Sequence, residues 1–323
     1  MAEFTKTVTV NCPYCGDASV VKFGRNVSGH QRYRCKPCGK TFLGTGALHG
    51  RKVPSNVIGA AVQKFYRGMS YKSIAEQLAQ DHDIPEPSKQ TIYAWVKKYT
   101  DDAVKAMSEH PAETGPEWVA DEMMVDVGGQ KMWNWNVMDA KTRYILASYL
   151  SPRRDTNAAT RTLRKAARFA ANPPERIRTD KLGSYTEAIK RVFPDAKHIQ
   201  SDGITAKVNN NLSERLQGTF RQRTKTLRGL DSRQTGQRYL DGWVVTYNLF
   251  RDHEGADGKP PAVKAGVKPP FEEWADVVRK PVVSAATRIA ARRTPAKTRA
   301  KSQRGKASAG RLASAQPKRA KRR

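Results

Sequence analysis

The chain has 323 residues, enough for two or three domains of ordinary size. Its formal net charge is +29, with 59 Lys and Arg against 30 Asp and Glu, so we expect a polyanionic partner, with nucleic acid as the default. The sequence has no apolar run long enough to span a bilayer and no N-terminal signal pattern. These features exclude a membrane-spanning protein and predict a cytoplasmic one.

The first predicted module, residues 8–44, contains all four cysteines of the chain as two CxxC pairs, Cys12 with Cys15 and Cys35 with Cys38. Each pair precedes a glycine, and within the 19 residues between the pairs two stretches, 20–23 and 31–34, alternate as strands do. Two such turns at the ends of a β-hairpin can hold one ion with tetrahedral thiolate coordination, which suits zinc. The spacing therefore predicts a zinc ribbon with a structural Zn²⁺, and a redox dithiol or unliganded thiols are the alternative.

The second module, residues 53–108, shows three helical patterns, which begin at Ser55, after Ser70 and after Ser88. Ile92, Trp95, Val96 and Tyr99 of the third would face inward. This order predicts a helix-turn-helix domain whose third helix enters the major groove, and a plain three-helix bundle with a solvated lysine face is the alternative. The outward residues expected to contact DNA are Lys89, Gln90, Thr91, Tyr93 and Lys97.

The main module, residues 116–278, begins with three predicted strands, 118–127, 131–138 and 143–150. A helix (156–171), a strand (176–179), a helix (185–193), a strand (197–201) and a helix (210–225) follow. Three antiparallel strands before an αβαβα run predict an α/β (α+β) fold of the RNase H-like type. A short helix, 271–278, is expected to pack back onto this domain through Phe271 and Trp274.

The last segment, residues 280–323, has 15 Lys and Arg, no acidic residue and almost no large apolar side chain. Such a composition cannot bury a core, so it predicts a disordered basic tail. Subtracting these 15 charges from +29 still leaves +14, which means that the preceding domains are basic as well.

Three acidic residues are the candidate catalytic groups: Asp121 in the first strand, Asp180 at the end of the fourth, and Glu214 on the last predicted helix. Each has another explanation when it is considered alone. Asp121 could be a polar residue on a half-exposed strand, Asp180 a turn residue and Glu214 a capping-box residue. The predicted fold, however, would bring all three together. Strand alternation places Glu122 and Asp126 on the face opposite to Asp121.

The residues around these acids resemble the DDE transposases of prokaryotic insertion sequences, of the insertion-sequence-six type or its archaeal relatives. The resemblance spans residues 12 to about 278, and 33 residues separate Asp180 from Glu214, as in that family. Met123 departs from the threonine usual in the family, and the basic tail is not part of the pattern. The motifs that carry the resemblance are Trp118-Val-Ala-Asp121-Glu122, Arg154-Asp155, Thr179-Asp180-Lys181 with Tyr185, Asn210-Asn211 with Glu214, and Tyr247-Asn248 with Arg251 and His253.

The resemblance implies two Mg²⁺ (or Mn²⁺) ions in each active site, with Asp121 bridging both ions and Asp180 and Glu214 holding one each. It implies strand cleavage at the element ends and transfer of the 3′-hydroxyl into target DNA. The implied partners are the terminal inverted repeats, target DNA and further copies of the chain in a homodimer or higher oligomer, located at the nucleoid. Phosphate contacts, or else an ordinary solvated basic face, are expected at Lys181, Arg221, Arg223, Lys225 and Arg228.

Two other functions fit the same composition. The chain could be a non-catalytic DNA-binding regulator that derives from a transposase and keeps its ribbon and helix-turn-helix. It could also be a chromatin-like compaction protein that acts through the basic tail. The presence of all three acids favours the enzyme.

Overall fold

The computed structural model describes residues 10–27, 29–44, 52–82, 84–201, 211–224, 230–268 and 271–279. The predicted basic tail, residues 280–323, lies outside these ranges, as do Lys225 and Arg228. Among the helices so described, none is both long and apolar enough to cross a membrane.

The N-terminal module is a three-stranded antiparallel sheet in the order β1-β2-β3. Its strands are β1 (Val20–Arg25), β2 (Gln31–Cys35) and β3 (Thr41–Leu43). The first two confirm the predicted strands, whereas the third has too few residues for its alternation to be recognised. The small core contains Cys12, Cys35 and Phe42, so two of the four thiols are also core residues.

Three helices follow, as predicted: α1 (Ser55–Tyr66), α2 (Tyr71–His82) and α3 (Lys89–Met107). The Ser88 hydroxyl accepts a hydrogen bond from the Thr91 amide at the start of α3, which satisfies one of the free amides at that helix end. The inward face predicted for α3 is buried at Ile92, Val96 and Tyr99, and Trp95 is half-buried against the core. DNA binding by this trio remains a prediction.

The main sheet contains five strands: β4 (Glu117–Val127), β5 (Gln130–Asp139), β6 (Ile145–Ser151), β7 (Arg176–Thr179) and β8 (Lys197–Gln200). Their order is β6-β5-β4-β7-β8. The first three strands pair antiparallel, and β7 and β8 continue the sheet in parallel with β4. Gly128 and Gly129 have φ angles of +59° and +75°, which gives β4 and β5 the tight turn that a hairpin requires. This topology confirms the RNase H-like fold.

Six further helices complete the fold: α4 (Thr156–Phe169), α5 (Gly183–Val192), α6 (Asn211–Thr224), α7 (Arg233–Leu249), α8 (Pro261–Lys264) and α9 (Trp274–Arg279), together with a 3-10 helix, Glu254–Ala256. The sequence patterns predict α4, α5, α6 and α9 but not α7. Within α7, Tyr239, Leu240 and Trp243 are buried against the rest of the core.

Helix α9 joins the helical module to the main domain. The ring of Trp274 stacks on Tyr66 of α1 at 5.5 Å and contacts Phe250 at 5.3 Å. Phe271 contacts Phe250 as well, at 6.2 Å. The approach is close enough that a Cβ on Gly59 would meet the backbone nitrogen of Ala275 at 2.4 Å. One continuous hydrophobic core therefore extends from α1 to the main sheet.

Candidate active site

The pairing of β4 with β7 brings Asp121 and Asp180 together. The two strands are parallel, with Val119 opposite Arg178, so Asp121 lies two residues further along β4 and Asp180 directly follows the end of β7 at the same level. Their carboxylate oxygens lie within 4.8 Å of each other and of a carboxylate oxygen of Glu122. Three acidic side chains thus converge at one end of the sheet. Glu122 is buried, and the two aspartates are half-buried.

Glu214 lies on α6 beside this group, with its side chain exposed. One turn further along the same helix, the Gln217 amide donates a hydrogen bond of 2.8 Å to Asp121 Oδ2. Leu216 and Phe220 bury the opposite side of α6 in the core, which fixes the helix beside β4. Glu214 is close enough for its charge to act on Asp121, but among the described residues it is not within the 4.8 Å group.

Glu122 occupies a different position from the one that strand alternation predicts. Its side chain is fully buried and contributes an oxygen to the acidic group. Arg154 Nε donates to its Oε1 at 2.7 Å, and the Tyr185 hydroxyl donates to its Oε2 at 2.8 Å. Both carboxylate oxygens of Glu122 are therefore already engaged by side chains of the protein.

The Arg154 side chain connects the buried Glu122 carboxylate to Asp180. Its guanidinium lies 3.6 Å from Asp180 Oδ2 and 4.7 Å from the ring centre of Trp133. A cation held between two carboxylates reduces their mutual repulsion. Arg154 and Tyr185 belong to the motifs that carry the family resemblance, but spacing alone gives no signal that they contact Glu122. Gln217 carries no such signal either.

The electrostatics of Asp121 follow from this crowding. Burial, with the negative charges of Glu122 and Asp180 added, raises the pKa of Asp121 to about 7, although the Glu122 amide donates a hydrogen bond to Asp121. In the absence of a cation, Asp121 therefore holds a proton over most of the acidic range. A divalent cation would take the place of that proton, and carboxylate oxygens are the ligands that Mg²⁺ and Mn²⁺ prefer.

The raised pKa predicts a pH-dependent effect of Asp121→Asn on stability. A carboxyl group whose pKa is higher in the folded state contributes its stability below the unfolded pKa of about 4 and loses it as the pH rises through about 7. In EDTA, we therefore expect the free energy of unfolding of the variant to gain on that of the wild type between pH 4 and pH 8. Because Asp121 is partly exposed, the gain should be about 2 kcal/mol, below the ~4 kcal/mol of a fully effective shift.

Denaturant unfolding of both proteins across this pH range measures the gain. Asp126→Asn is the matched control, because Asp126 lies exposed on the same strand, and its difference from the wild type should not follow the same curve. A difference between Asp121→Asn and the wild type that stays constant from pH 4 to pH 8 would contradict the proposed electrostatics.

The four cysteines form the second candidate metal centre. Cys12 Sγ lies 3.6 Å from Cys38 Sγ, and Cys15 Sγ lies 3.5 Å from Cys35 Sγ, with all four sulfurs within 4.8 Å of one another. Tetrahedral coordination with Zn–S bonds of about 2.3 Å requires sulfurs about 3.8 Å apart, so the arrangement fits zinc. The amide of Lys40 is the main factor that lowers the pKa of Cys38 to about 7, so a thiolate ligand is accessible near neutrality.

The two CxxC turns share one backbone geometry. Gly16 and Gly39 have φ angles of +79° and +69°, a region that favours glycine. The Gly16 amide donates to the carbonyl of Cys12, and the Gly39 amide donates to that of Cys35. The glycine after each pair is thus explained by the turn that aims two sulfurs at one point.

Six of the eight predicted DNA-contacting residues that the structure describes are exposed. Lys89, Gln90, Tyr93 and Lys97 are exposed on α3, and Thr91 is half-buried and donates its backbone amide to the hydroxyl of the N-cap residue Ser88. Lys181 is exposed next to Asp180, and Arg221 is exposed on α6. Arg223 is half-buried, and its guanidinium donates to the carbonyl of Arg67.

Comparison with known proteins gives matches for two parts of the chain. Residues 115–253 match the family model described as DDE domain, and residues 5–39 match the InsA N-terminal domain. A 46-residue stretch is 39% identical to the insertion element iso-IS1N protein InsA of Shigella dysenteriae, covering 14% of this chain and 51% of that protein. The chain thus spans about half the length of this curated relative.

The solved structures that match part of this chain include two viral proteins. One is the HTLV-2 integrase catalytic core domain in complex with magnesium, with a TM-score of 0.37 and 13% identity over 48% of this chain and 99% of that one. The other is the simian T-cell lymphotropic virus intasome in complex with PP2A regulatory subunit B56 gamma, with a TM-score of 0.39 and 13% identity over 71% and 80% of the two chains.

The chain combines an N-terminal four-cysteine ribbon with an RNase H-like sheet. Two neighbouring parallel strands of this sheet bring two aspartates together, and this combination defines a DDE-type protein. Residues 115–253 match the DDE domain and residues 5–39 match the InsA N-terminal domain, and together these matches support a DDE transposase of insertion sequences with an N-terminal zinc ribbon.

Proposed function

We propose that the protein is a DNA transposase that cleaves one strand at each end of its element and transfers the resulting 3′-hydroxyl into target DNA. The observation that supports this most strongly is the pair Asp121 and Asp180 on adjacent parallel strands inside the DDE domain. The net charge of +29 suits a substrate that is a polyanion.

Asp121, Asp180 and Glu214 would hold two Mg²⁺ or Mn²⁺ ions. When bound, such a pair of ions activates the attacking oxygen and stabilises the leaving oxygen of a phosphodiester. Glu214 is a better third ligand than Glu122, because Arg154 and Tyr185 already occupy both oxygens of Glu122. The exposed carboxylate of Glu214 has no such engagement among the contacts described, and α6 carries it next to Asp121.

The surrounding side chains prepare the carboxylates for this role. Gln217 holds Asp121 in orientation through Oδ2, and Arg154 keeps Asp180 and Glu122 in place. Asp121 must lose its proton before it can act as a ligand, so the affinity for a divalent cation should increase as the pH rises through about 7.

DNA recognition is proposed for the modules in front of the catalytic domain. We assign residues 8–44 to a zinc ribbon with one structural Zn²⁺, residues 53–108 to a helix-turn-helix domain and residues 116–278 to the catalytic domain. The exposed side chains of α3 would contact the terminal inverted repeat, and Lys181, Arg221 and Arg223 would contact phosphates near the acids. Joining two element ends requires at least two copies of the chain, so the active form would be a homodimer or higher oligomer.

The proposed reaction predicts a strand-nicking activity that depends on the carboxylates. We expect the full-length protein to nick duplex DNA carrying the sequences that flank its gene, in Mg²⁺ or Mn²⁺ but not in EDTA. Asp121→Asn, Asp180→Asn and Glu214→Gln should each reduce nicking by at least about 1,000-fold, because each removes a charged metal ligand. Denaturing gel electrophoresis of end-labelled DNA measures the product.

Two controls separate the enzyme from a DNA-binding regulator. Asp126→Asn, on the same strand as Asp121 but exposed beyond the acidic group, should keep wild-type nicking. All variants should bind the flanking DNA like the wild type in a gel-shift assay. Specific binding by the wild type without any metal-dependent product would contradict the enzyme and favour the regulator.

The cysteine cluster predicts one bound zinc ion per chain. Cys35→Ser should lose this zinc, because it removes one of four ligands and alters a fully buried core position of the ribbon. Elemental analysis of the purified protein measures the metal, and Ser19→Ala in the same module is the control that should retain it. A wild-type protein that contains no zinc and forms disulfides instead would contradict the zinc ribbon.

A further inference from the structure

The Glu122 side chain is held from two sides, although the proposed function assigns it no metal ion. Its Oε1 accepts from Arg154 Nε at 2.7 Å, and Arg154 Nη2 lies 2.5 Å from the same oxygen. Its Oε2 accepts from the hydroxyl of Tyr185 at 2.8 Å, and the ring of Tyr185 packs against Trp135 at 5.4 Å. A fully buried carboxylate is tolerated only when it is paired in this way, so Glu122 is a fixed anion within the fold.

The guanidinium of Arg154 lies between two carboxylates, but at unequal distances. It is 2.5 Å from Glu122 Oε1 and 3.6 Å from Asp180 Oδ2, and the second distance is too long for a hydrogen bond. Burial acts to lower the pKa of Arg154, yet this pKa is raised, and the bond and charge of Glu122 contribute more to the increase than the charge of Asp180 does. Arg154 is therefore held mainly by Glu122.

The oxygen of Asp180 that faces Arg154 is also the one left for a metal ion. Asp180 Oδ1 accepts from the Leu182 amide at 3.0 Å, in the turn after β7. Oδ2 is therefore the oxygen that remains for a divalent cation. A guanidinium bonded to Oδ2 would have to leave before the cation could bind, because both would use the lone pairs of this oxygen.

Arg154 would reach Asp180 Oδ2 by a small movement if Glu122 lost its charge. A charge-assisted hydrogen bond is about 2.8 Å long, so a shift of about 0.8 Å from the present 3.6 Å would form one. The ring centre of Trp133 lies 4.7 Å from the guanidinium and would keep it close to Asp180 during the shift. The side chain of Arg154 is 40% exposed, which leaves room for this movement on its solvent side.

We propose that Glu122 is a positioning residue that restrains Arg154 and thereby keeps Asp180 Oδ2 accessible to a metal ion. Glu122 acts through Arg154 and is not itself a ligand, while the positive charge of Arg154 still weakens the repulsion between the acids. The restraint gives Glu122, Arg154 and Tyr185, which all belong to the motifs around the acids, a common role. The inference rests on the proposed function in one respect, namely that Asp180 is a metal ligand.

The test measures Mn²⁺ binding by the full-length, zinc-loaded protein without DNA, by isothermal titration calorimetry above pH 7, where Asp121 is ionised. Glu122→Gln removes the charge and keeps the shape, and it should weaken Mn²⁺ binding about tenfold, because Arg154 then bonds to Asp180. Glu122→Gln/Arg154→Gln should bind within about threefold of the wild type, because the competing guanidinium is gone. Asp121→Asn gives the baseline for cations held elsewhere on the protein.

The matched control is Glu122→Gln/Arg153→Gln, which removes the positive charge from the neighbouring exposed arginine instead. It should bind Mn²⁺ as weakly as Glu122→Gln. Equal recovery in the two double variants would overturn the proposal, because it would show an effect of net charge alone. A double variant with Arg154→Gln that stays as weak as Glu122→Gln would also overturn it and indicate that Glu122 is a ligand. An unchanged affinity of Glu122→Gln would overturn it as well.

Thermal unfolding followed by circular dichroism shows whether each variant folds. If Glu122→Gln alone does not fold, the double variant with Arg154→Gln remains the test, because it leaves no unpaired charge at the buried position. Its affinity should lie within about threefold of the wild type, and a loss of about tenfold or more would overturn the proposal. The proposed reaction is judged separately: a wild-type protein that shows these variant effects on Mn²⁺ binding but nicks no DNA would overturn only the reaction.

Discussion

The arrangement of the catalytic domain depends on the parallel pairing of β4 with β7. This pairing aligns Trp118 with Ile177 and Val119 with Arg178, and it buries Trp118 and Ile177 completely. Burial of two large apolar side chains stabilises the pair by several kcal/mol in total, at about 25 cal/mol per Å² of apolar surface. The same pairing forces Asp121 and Asp180 into proximity, which is unfavourable for two like charges. The packing of the core therefore stabilises the close approach of Asp121 and Asp180, which their like charges disfavour.

The surrounding residues reduce that repulsion without removing it. Arg154 lies against Asp180 and Glu122, and Gln217 donates to Asp121, yet the pKa of Asp121 remains raised to about 7. Perturbed acids of this kind cluster at functional sites, because a site that is to bind a cation must be unfavourable for its anions while it is empty. The ribbon also holds metal-ligating groups close together, because its four thiols lie within 4.8 Å of one another.

Local patterns predicted much of this fold. The alternation in β4 and β5, the Gly128-Gly129 turn and the serine at the start of α3 are local signals, and the structure confirms each. The four-cysteine spacing was informative because the geometry of a CxxC turn is local as well. The order of strands and helices then predicted that Asp121 and Asp180 would meet, although they are 59 positions apart.

The parts that were not predicted depend on tertiary contacts. Helix α7 alternates buried glycine, aromatic and polar positions, and its stability comes from packing between α1, α3 and β6 more than from its own periodicity. The position of Glu122 depends on Arg154 and Tyr185, which are 32 and 63 residues away and belong to other elements. Strand alternation predicts the face of the sheet to which the Cβ atom of a residue points. It does not predict where the end of a long side chain lies, because that depends on its hydrogen-bond partners.

Anomalous diffraction from crystals soaked in Mn²⁺ tests most directly the proposal that Asp121, Asp180 and Glu214 together hold two divalent cations. We expect two anomalous peaks, one between Asp121 and Asp180 and one reached by Glu214, with the Gln217 amide displaced from Asp121. The proposal would be contradicted by a single peak ligated by Glu122 with Asp121 and Asp180 while Glu214 stays in solvent, or by no peak at all at a pH above 7.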